Sequence, residues 1–322
     1  MTLNEELCQQ LLYFLNNRYK ADIHTSASTR FKVKHLMHGG SNFVALLLDG
    51  RTPIYVVKVA NEPRRSANLL NEFCKRSILQ NYLPSLVTKP VLFHKSNQEF
   101  KHSFLVLRYQ NGKNVEELLE RLSPSNLTEV VSQMGTILGD IHSIQGTRFE
   151  DSEGNAIDDW ASYVEERIHQ SLSDSVFCHL VEPFFTERLR RISEERLHLL
   201  TGEIPVLIHK DYQFRNVLVM KRFKKIYVTG IIDLESSFWG PSSFDFPIIK
   251  RFLFDKFSNT EDAFVGTYRF NHPKDDNFDE RVYLHDLFQS IRLIRRAIRR
   301  GENGSLPFHI HYLHGLLKQE KI

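Results

Sequence analysis

Cysteine is scarce: Cys8, Cys74 and Cys178 are the only three in 322 residues. They are odd in number, far apart and form no CxxC pair. That excludes a disulfide framework and a thiolate metal site, and it fits a reducing compartment. A dominant charge is lacking as well. The formal net charge is +3, too small to draw the chain to nucleic acid or to a membrane surface. No stretch approaches the ~18 consecutive apolar residues of a membrane span. The opening residues, Met1-Thr2-Leu3-Asn4-Glu5-Glu6, are polar and acidic, so no secretory signal is read there. There is no internal repeat and no low-complexity tract. The expectation is a cytoplasmic globular protein with no nucleic-acid and no membrane partner.

What is present is ordinary in bulk and uneven in detail. The hydrophobic fraction is 41% and the charged fraction 25%, enough for a sizeable core, and the length allows about two domain-sized units. Counting Lys and Arg against Asp and Glu, residues 1–110 carry roughly +8 and residues 111–322 roughly −5. A basic half suits an anionic ligand such as a nucleotide, and an acidic half tolerates a cationic one. Plain surface scatter explains the same counts equally well.

Hydrophobic period divides the chain in the same place. Residues 3–19 have apolar positions at helical spacing, Leu7, Leu11, Leu12, Phe14 and Leu15. Phe31–Leu36 alternates, and Phe43–Leu48 and Pro53–Ala60 are continuous apolar runs. These read as three strands, the last two joined by a turn at Asp49-Gly50. A helix over Pro63–Tyr82 and strands over Val91–His94 and Phe104–Tyr109 complete a small sheet with one inserted helix. Helical patterns then dominate, over Val115–Leu122, Leu127–Ile144, Asp158–Leu172, Val181–Leu200, Phe244–Lys256, Glu280–Arg300 and Leu306–Lys318. A β-rich interruption spans Val206–Asp233. The expected organisation is an α+β fold with a β-rich lobe over residues 1–110 and a mainly helical lobe over residues 111–322, divided near Asn111-Gly112.

The chemistry concentrates in the interruption. His209-Lys210-Asp211-Tyr212-Gln213-Phe214-Arg215-Asn216 has the form H-x-D-x-x-x-x-N. At this spacing kinases use the Asp to accept the proton of an attacking hydroxyl and the Asn to hold magnesium. Alone the spacing is a modest signal. A second apolar strand ends at Asp233, and a carboxylate after the hairpin supplies the hard oxygen that Mg2+ needs beside phosphate. Upstream, Gly39-Gly40-Ser41-Asn42 lies between two strands, where backbone N–H groups can approach phosphate. Lys58 sits inside Tyr55–Ala60, where a lysine is costly to bury without a charged partner. The next helix offers Glu72 among Leu69, Leu70 and Phe73; Glu62 is a rival too close to the strand end.

Taken together these residues resemble the aminoglycoside phosphotransferase and choline kinase family, the small-molecule branch of the protein-kinase-like fold. The likeness runs in order through Gly39-Gly40-Ser41-Asn42-Phe43, Leu105-Val106-Leu107-Arg108-Tyr109-Gln110-Asn111-Gly112, Leu138-Gly139-Asp140-Ile141-His142, the His209–Asn216 stretch, Ile232-Asp233-Leu234-Glu235 and Gly240-Pro241-Ser242-Ser243-Phe244-Asp245. The resemblance implies a bilobal fold binding ATP or GTP between lobes. It makes Asp211 the catalytic base or hydroxyl-orienting group, Asn216 and Asp233 the Mg2+ ligands, and Lys58 the α,β-phosphate lysine braced by Glu72. Backbone groups near Arg108 and Gln110 would meet the purine. His209 and Asp245 would hold the loop. The chain departs from the family pattern at Lys210, where glycine is usual, and at Phe214 and Arg215, where proline and glycine are frequent.

The acceptor is less legible. Residues 149–160 are acidic and aromatic, ending in Asp158-Asp159-Trp160, and Glu165 and Glu166 follow. That composition suits an amine-bearing acceptor, but acids at a helix N-terminus read the same way. Arg292, Arg295, Arg296, Arg299 and Arg300 make the last helices basic, as a solvated face or an anion site. His309, His311 and His314 lack a completing carboxylate or cysteine for a metal. A cationic antibiotic of the aminoglycoside type leads, ahead of choline, homoserine or a sugar. A non-catalytic nucleotide-binding protein and a protein kinase are the other classes. The intact Lys58, Asp211, Asn216 and Asp233 set argues against the first, and the absence of D-F-G and A-P-E segments against the second.

Overall fold

Alternating and continuous apolar runs build the first elements. In the computed structural model, which describes residues 3–19, 22–23, 31–36, 42–151, 153–223, 225–257, 259–271, 275–302 and 304–319, helix α1 is Leu3–Arg18. Strands β1 (Phe31–Leu36), β2 (Asn42–Asp49) and β3 (Thr52–Ala60) follow. Then come α2 (Arg65–Tyr82), β4 (Pro90–His94), β5 (Phe104–Arg108) and β6 (Lys113–Asn114). Five of these strands form an antiparallel sheet in the order β1-β2-β3-β5-β4. The β2–β3 turn works because Gly50 takes φ of +61°, open to glycine at no steric cost.

The chain continues through α3 (Pro124–His142), β7 (Phe149–Glu150), β8 (Ala156–Ile157), α4 (Trp160–Leu172), α5 (Ser175–Val181) and α6 (Pro183–Arg196). Strands β9 (Val206–Ile208), β10 (Val217–Arg222), β11 (Lys225–Ile231) and β12 (Phe238–Gly240) make up the β-rich interruption. Helices α7 (Phe246–Ile249), α8 (Glu261–Asn271), α9 (Phe278–Arg300) and α10 (Leu306–Gln319) close it. No described helix is long and apolar enough to cross a membrane.

Two compact units result. One is Met1–Met134 with Asp211–Ser237, the other Gly135–Lys210 with Phe238–Ile322. In the first, α1 packs Leu11 and Leu15 on one face of the sheet with Tyr55, Val57 and Val59. The other face carries α2, with Leu69 and Phe73 against Val56, Leu105 and Leu107. The β10–β11 hairpin joins this unit, and β6 pairs along β10. The second unit has an aromatic core, in which Trp160, Phe238, Phe244 and Phe288 pack with Leu284, Leu287 and Ile291 of α9. Residue Gly301 ends α9 at φ of +63°, a left-handed C-terminal cap.

Several helices differ from their sequence expectation. Residues 115–122 form a 3-10 turn over Glu116–Arg121. The helix expected over Val181–Leu200 is α6, which Pro183 starts as proline favours the first helical turn, followed by a 3-10 turn over Leu197–Leu200; the unexpected α5 ends just before it, where Glu182 takes φ of +73°. The helix expected over Phe244–Lys256 is a 3-10 turn, α7 and a π-helical turn over Lys250–Phe254. Helix α8 was not expected; its buried Phe264 and Tyr268 sit four residues apart on one face.

Candidate active site

Strand alternation decides where Lys58 points. β3 turns Tyr55, Val57 and Val59 toward α1 and leaves Val56 and Lys58 on the face that α2 covers. There Lys58 Nζ donates to Glu72 Oε2 at 2.7 Å and to Asp233 Oδ1 at 2.8 Å. Glu72 is fully buried, and its other oxygen accepts from Arg76 Nε at 2.9 Å, one helical turn on. Burial would lower the Lys58 pKa, but the Asp233 and Glu72 carboxylates outweigh it and hold the ammonium charged far above its ordinary range. Burial would likewise raise Glu72, and Lys58 and Arg76 pull it below the usual carboxylate range. Glu62 accepts from Arg64 instead.

Residues 214–216 form a single 3-10 turn that closes on Asp211. Asn216 Nδ2 donates to the Asp211 carbonyl and to its Oδ2, both at 2.8 Å. Arg215 Nη2 reaches the same Oδ2 at 2.8 Å, and Gln213 Nε2 donates to Oδ1. Both carboxylate oxygens are therefore engaged. The hairpin then returns the chain to its own start: Ile232 N donates to Asn216 O at 3.0 Å, and Val217 pairs with Ile231. Asn216 and Asp233 thus flank the open end of one hairpin. Asp233 has φ of +65°, a left-handed conformation that costs about 1–2 kcal/mol in an L-residue and recurs at functional positions.

Glu235 completes the cluster. It accepts from Asn42 Nδ2 at 2.6 Å and lies 3.9 Å from Arg65, while Asn71 holds the neighbouring carbonyls of Glu235 and Ser237 at 3.2 and 2.7 Å. Burial first, and then the Asp233 charge, raises its pKa. Among the described residues, one group of His, Cys, Asp or Glu side chains could hold a metal ion. It is Glu72, Asp233 and Glu235, whose carboxylate oxygens lie within 4.8 Å of one another. Hard oxygens of this kind fit Mg2+. The Asn216 amide nitrogen faces Asp211, so its oxygen is turned away from that carboxylate.

In the second unit Asp245 accepts from the backbone N–H of His209 at 2.8 Å and of Lys210 at 2.5 Å, and lies 3.1 Å from His142 Nε2. That carboxylate fixes the two residues preceding Asp211. Lys210 has φ of +68°, the backbone conformation that explains a glycine at this position in the family pattern.

The remaining expected residues have diverse surroundings. Gly39, Gly40 and Ser41 lie outside the described residues. Arg108 is exposed at the end of β5, paired with Tyr55. The Gln110 side chain donates to Leu86 O at 3.1 Å and to Thr229 O, tying the end of the hairpin's second strand to the segment after α2. Tyr109 N is engaged by Ile54 O at 2.8 Å. In the acidic segment, Asp151 accepts from the backbone N–H of Glu153 and Asn155, and Asp159 caps α4 by accepting from Ser162 N. Trp160 is buried. Glu165, Glu166, His169 and Arg295 line an open concavity of about 750 Å³. Arg292 lies over Phe288, and His314 stacks on Phe185 while its Nε2 meets Val181 O.

Sequence reasoning gave no role to Glu235 or Arg76. The signal for Arg76 was available in its i,i+4 spacing from Glu72. Glu235 stood two residues from Asp233, but its pairing with Asn42 spans 193 residues and no local pattern encodes it.

The sequence model of the phosphotransferase enzyme family matches residues 32–278. No curated protein matches the chain by sequence. In fold it is similar to the gentamicin complex of APH(2")-IIa, with TM-score 0.66 and 19% identity over 100% of this chain and 98% of that one. It is similar to the aminoglycoside phosphotransferase APH(4)-Ia, with TM-score 0.67 and 14% identity over 98% of this chain and 99% of that one. A GDP and kanamycin complex of APH(2")-IIia gives TM-score 0.67 and 16% identity over 96% and 98%. At such identities the likeness speaks for the α+β, protein-kinase-like fold alone.

Proposed function

The chain belongs to the phosphotransferase enzyme family and is a small-molecule kinase, and from that premise we propose that it transfers the γ-phosphoryl group of ATP or GTP to a hydroxyl of a cationic acceptor of the aminoglycoside type. One observation carries the reading. Lys58 is held by both Glu72 and Asp233, and the Asp211–Asn216 turn lies at the open end of the hairpin that ends at Asp233.

In this reading residues 1–110 are the nucleotide lobe, and residues 111–322 carry the catalytic loop, the metal ligands and the acceptor groups. Lys58, braced by Glu72, binds the α- and β-phosphates, and backbone N–H groups of Gly39, Gly40, Ser41 and Asn42 cover them. Backbone groups at Arg108 and Gln110 meet the purine. Asn216 and Asp233 hold Mg2+, which when bound neutralises phosphate charge. Asp211 orients the acceptor hydroxyl and takes its proton. The acceptor oxygen forms its bond to the γ-phosphorus as the bond to the bridging oxygen breaks, and the departing nucleoside diphosphate keeps that electron pair. The cytoplasm, where such donors are plentiful, is the compartment of action.

The acceptor class is carried over from proteins of like fold whose solved complexes hold kanamycin, gentamicin or hygromycin B. A metabolic alcohol such as choline, homoserine or a sugar is the second reading. Incubation with γ-labelled ATP or GTP and a panel of aminoglycosides and metabolic alcohols tests both. Asp211→Ala is expected to abolish transfer while nucleotide binding persists, and normal transfer in that variant would end the assignment.

A further inference from the structure

We propose that Arg215 is a catalytic residue, whose guanidinium leaves Asp211 when the hydroxyl arrives and donates to the phosphoryl group in transit. The inference rests on the kinase reading above and concerns a residue to which that reading gives no role.

Arg215 sits between the two functional side chains of its own turn, Asp211 and Asn216. Its side chain is 54% exposed and that of Asp211 19%, so the guanidinium forms the outer cover of the carboxylate. Arginine has five N–H groups, and among the described residues only Nη2 of Arg215 is engaged. The others are available to a ligand. Burial opposes its charge, but Asp211, Asp233 and Glu116 outweigh burial, so the group stays cationic.

The carboxylate sets a constraint. Asp211 Oδ2 already accepts from Asn216 and Arg215, and Oδ1 from Gln213. A carboxylate oxygen accepts about two donors, so a hydroxyl that gives its proton to Oδ2 displaces one of the two already there. Arg215 is the exposed one, whereas Asn216 is buried and doubly bonded to the loop. A displaced guanidinium needs an anion within reach, and the phosphoryl group arrives with charge spread over three oxygens in a geometry that a planar fork matches. Arg215 donates hydrogen bonds only. The hydroxyl proton still goes to Asp211 and the electron pair to the nucleoside diphosphate. The opposite role is a plug that holds Asp211 idle, and it predicts the opposite sign on removal.

Arg215→Ala and Arg215→Lys decide between them, and the exposed position leaves folding intact. For Arg215→Ala, kcat is expected to fall on the order of 10²–10³-fold, with KM for the nucleotide changed by less than about threefold, and Arg215→Lys should recover part of the rate. Binding of Mg2+, ADP and aluminium fluoride together mimics the phosphoryl group in flight. Arg215→Ala should weaken that complex by a comparable factor and leave ADP binding as it is. Unchanged or raised kcat, or equal affinity for the aluminium fluoride complex, overturns the proposal. The fluoride measurement needs no acceptor, so it decides Arg215 independently of the acceptor panel. A wild type that transfers phosphate to no acceptor and an Asp211→Ala variant that transfers normally would each overturn the proposed function instead.

Discussion

Two buried polar clusters, one in each unit, are built differently. In the first, ions are taken out of water: Lys58 and Arg76 share Glu72, and Lys58 also holds Asp233. Buried ion pairs of this sort gain little net stability against an apolar substitute. In the second, a neutral chain runs through the core. Trp160 Nε1 donates to His285 Nε2 at 2.9 Å, which assigns the His285 proton to Nδ1, 3.0 Å from Ser243 Oγ, and Ser243 Oγ donates to Glu203 at 3.1 Å. Burial, with Arg281 adding to it, pushes His285 down to about 3. Burial also pushes Glu203 up to about 7 against the pull of Arg281 and the Ser243 hydroxyl. The same unit also keeps a buried ion pair, Arg251 with Asp286, apart from this chain.

Breaking each region should therefore have different consequences. The largest effect is expected from Asp233→Ala in the first unit, a fall in kcat of about 10³-fold or more, with stability to urea lowered by about 1–3 kcal/mol because Lys58 keeps Glu72 as a partner. A variant that unfolds and still turns over normally in its folded fraction would erase the contrast. Next is Trp160→Ala in the second unit, which should cost about 3–5 kcal/mol of stability and leave turnover per folded molecule unchanged.

Glu203→Gln sharpens the comparison through pH. Folded Glu203 keeps its proton to about pH 7, whereas the unfolded chain releases it near ~4.3. Between these values the unfolded state binds fewer protons, so this group makes stability fall as pH rises. His285 does the reverse, binding its proton in the unfolded chain below ~6.5 and in the folded chain only below about 3. Where the windows overlap the two slopes oppose each other. With Gln at 203 the His285 slope stands alone, and stability should climb by roughly 3 kcal/mol from ~pH 4.3 to ~6.5. Denaturant titrations across that range that superimpose on the wild type would contradict it. The smallest effect is expected from Phe223→Ser at the fully exposed tip of the hairpin, within about 0.5 kcal/mol in stability and with no change in kcat.

Much of the first unit was legible because its signals are local. Alternation at 31–36, the Asp49-Gly50 turn and a lysine inside an apolar run each announce themselves within ten residues. Asp211, Asn216 and Asp233 were legible through spacing. What escaped depends on distance or on backbone. The Asn42–Glu235 bond joins residues far apart in sequence. The end of α5 at Glu182 rests on one positive φ, although Pro183 marked the start of α6. The acids at 151 and 159 were ambiguous between ligand and cap, and their hydrogen bonds to Asn155 and Ser162 make them local turn and cap groups. The Trp160–His285–Ser243–Glu203 chain was invisible because its members are ordinary residues until packing aligns them.

The first unit is made from two stretches of chain separated by residues 135–210. On a ribosome, the sheet and α2 are synthesised long before the hairpin that ends at Asp233. The Lys58–Asp233 contact spans 175 residues, so until then the nascent lysine has Glu72 as its anchor and β6 has no β10 to pair with. A chain halted before Asp211 would carry the five strands of the sheet and none of Asp211, Asn216 and Asp233. The cluster around Lys58 is thus assembled from residues that leave the ribosome at widely separated times.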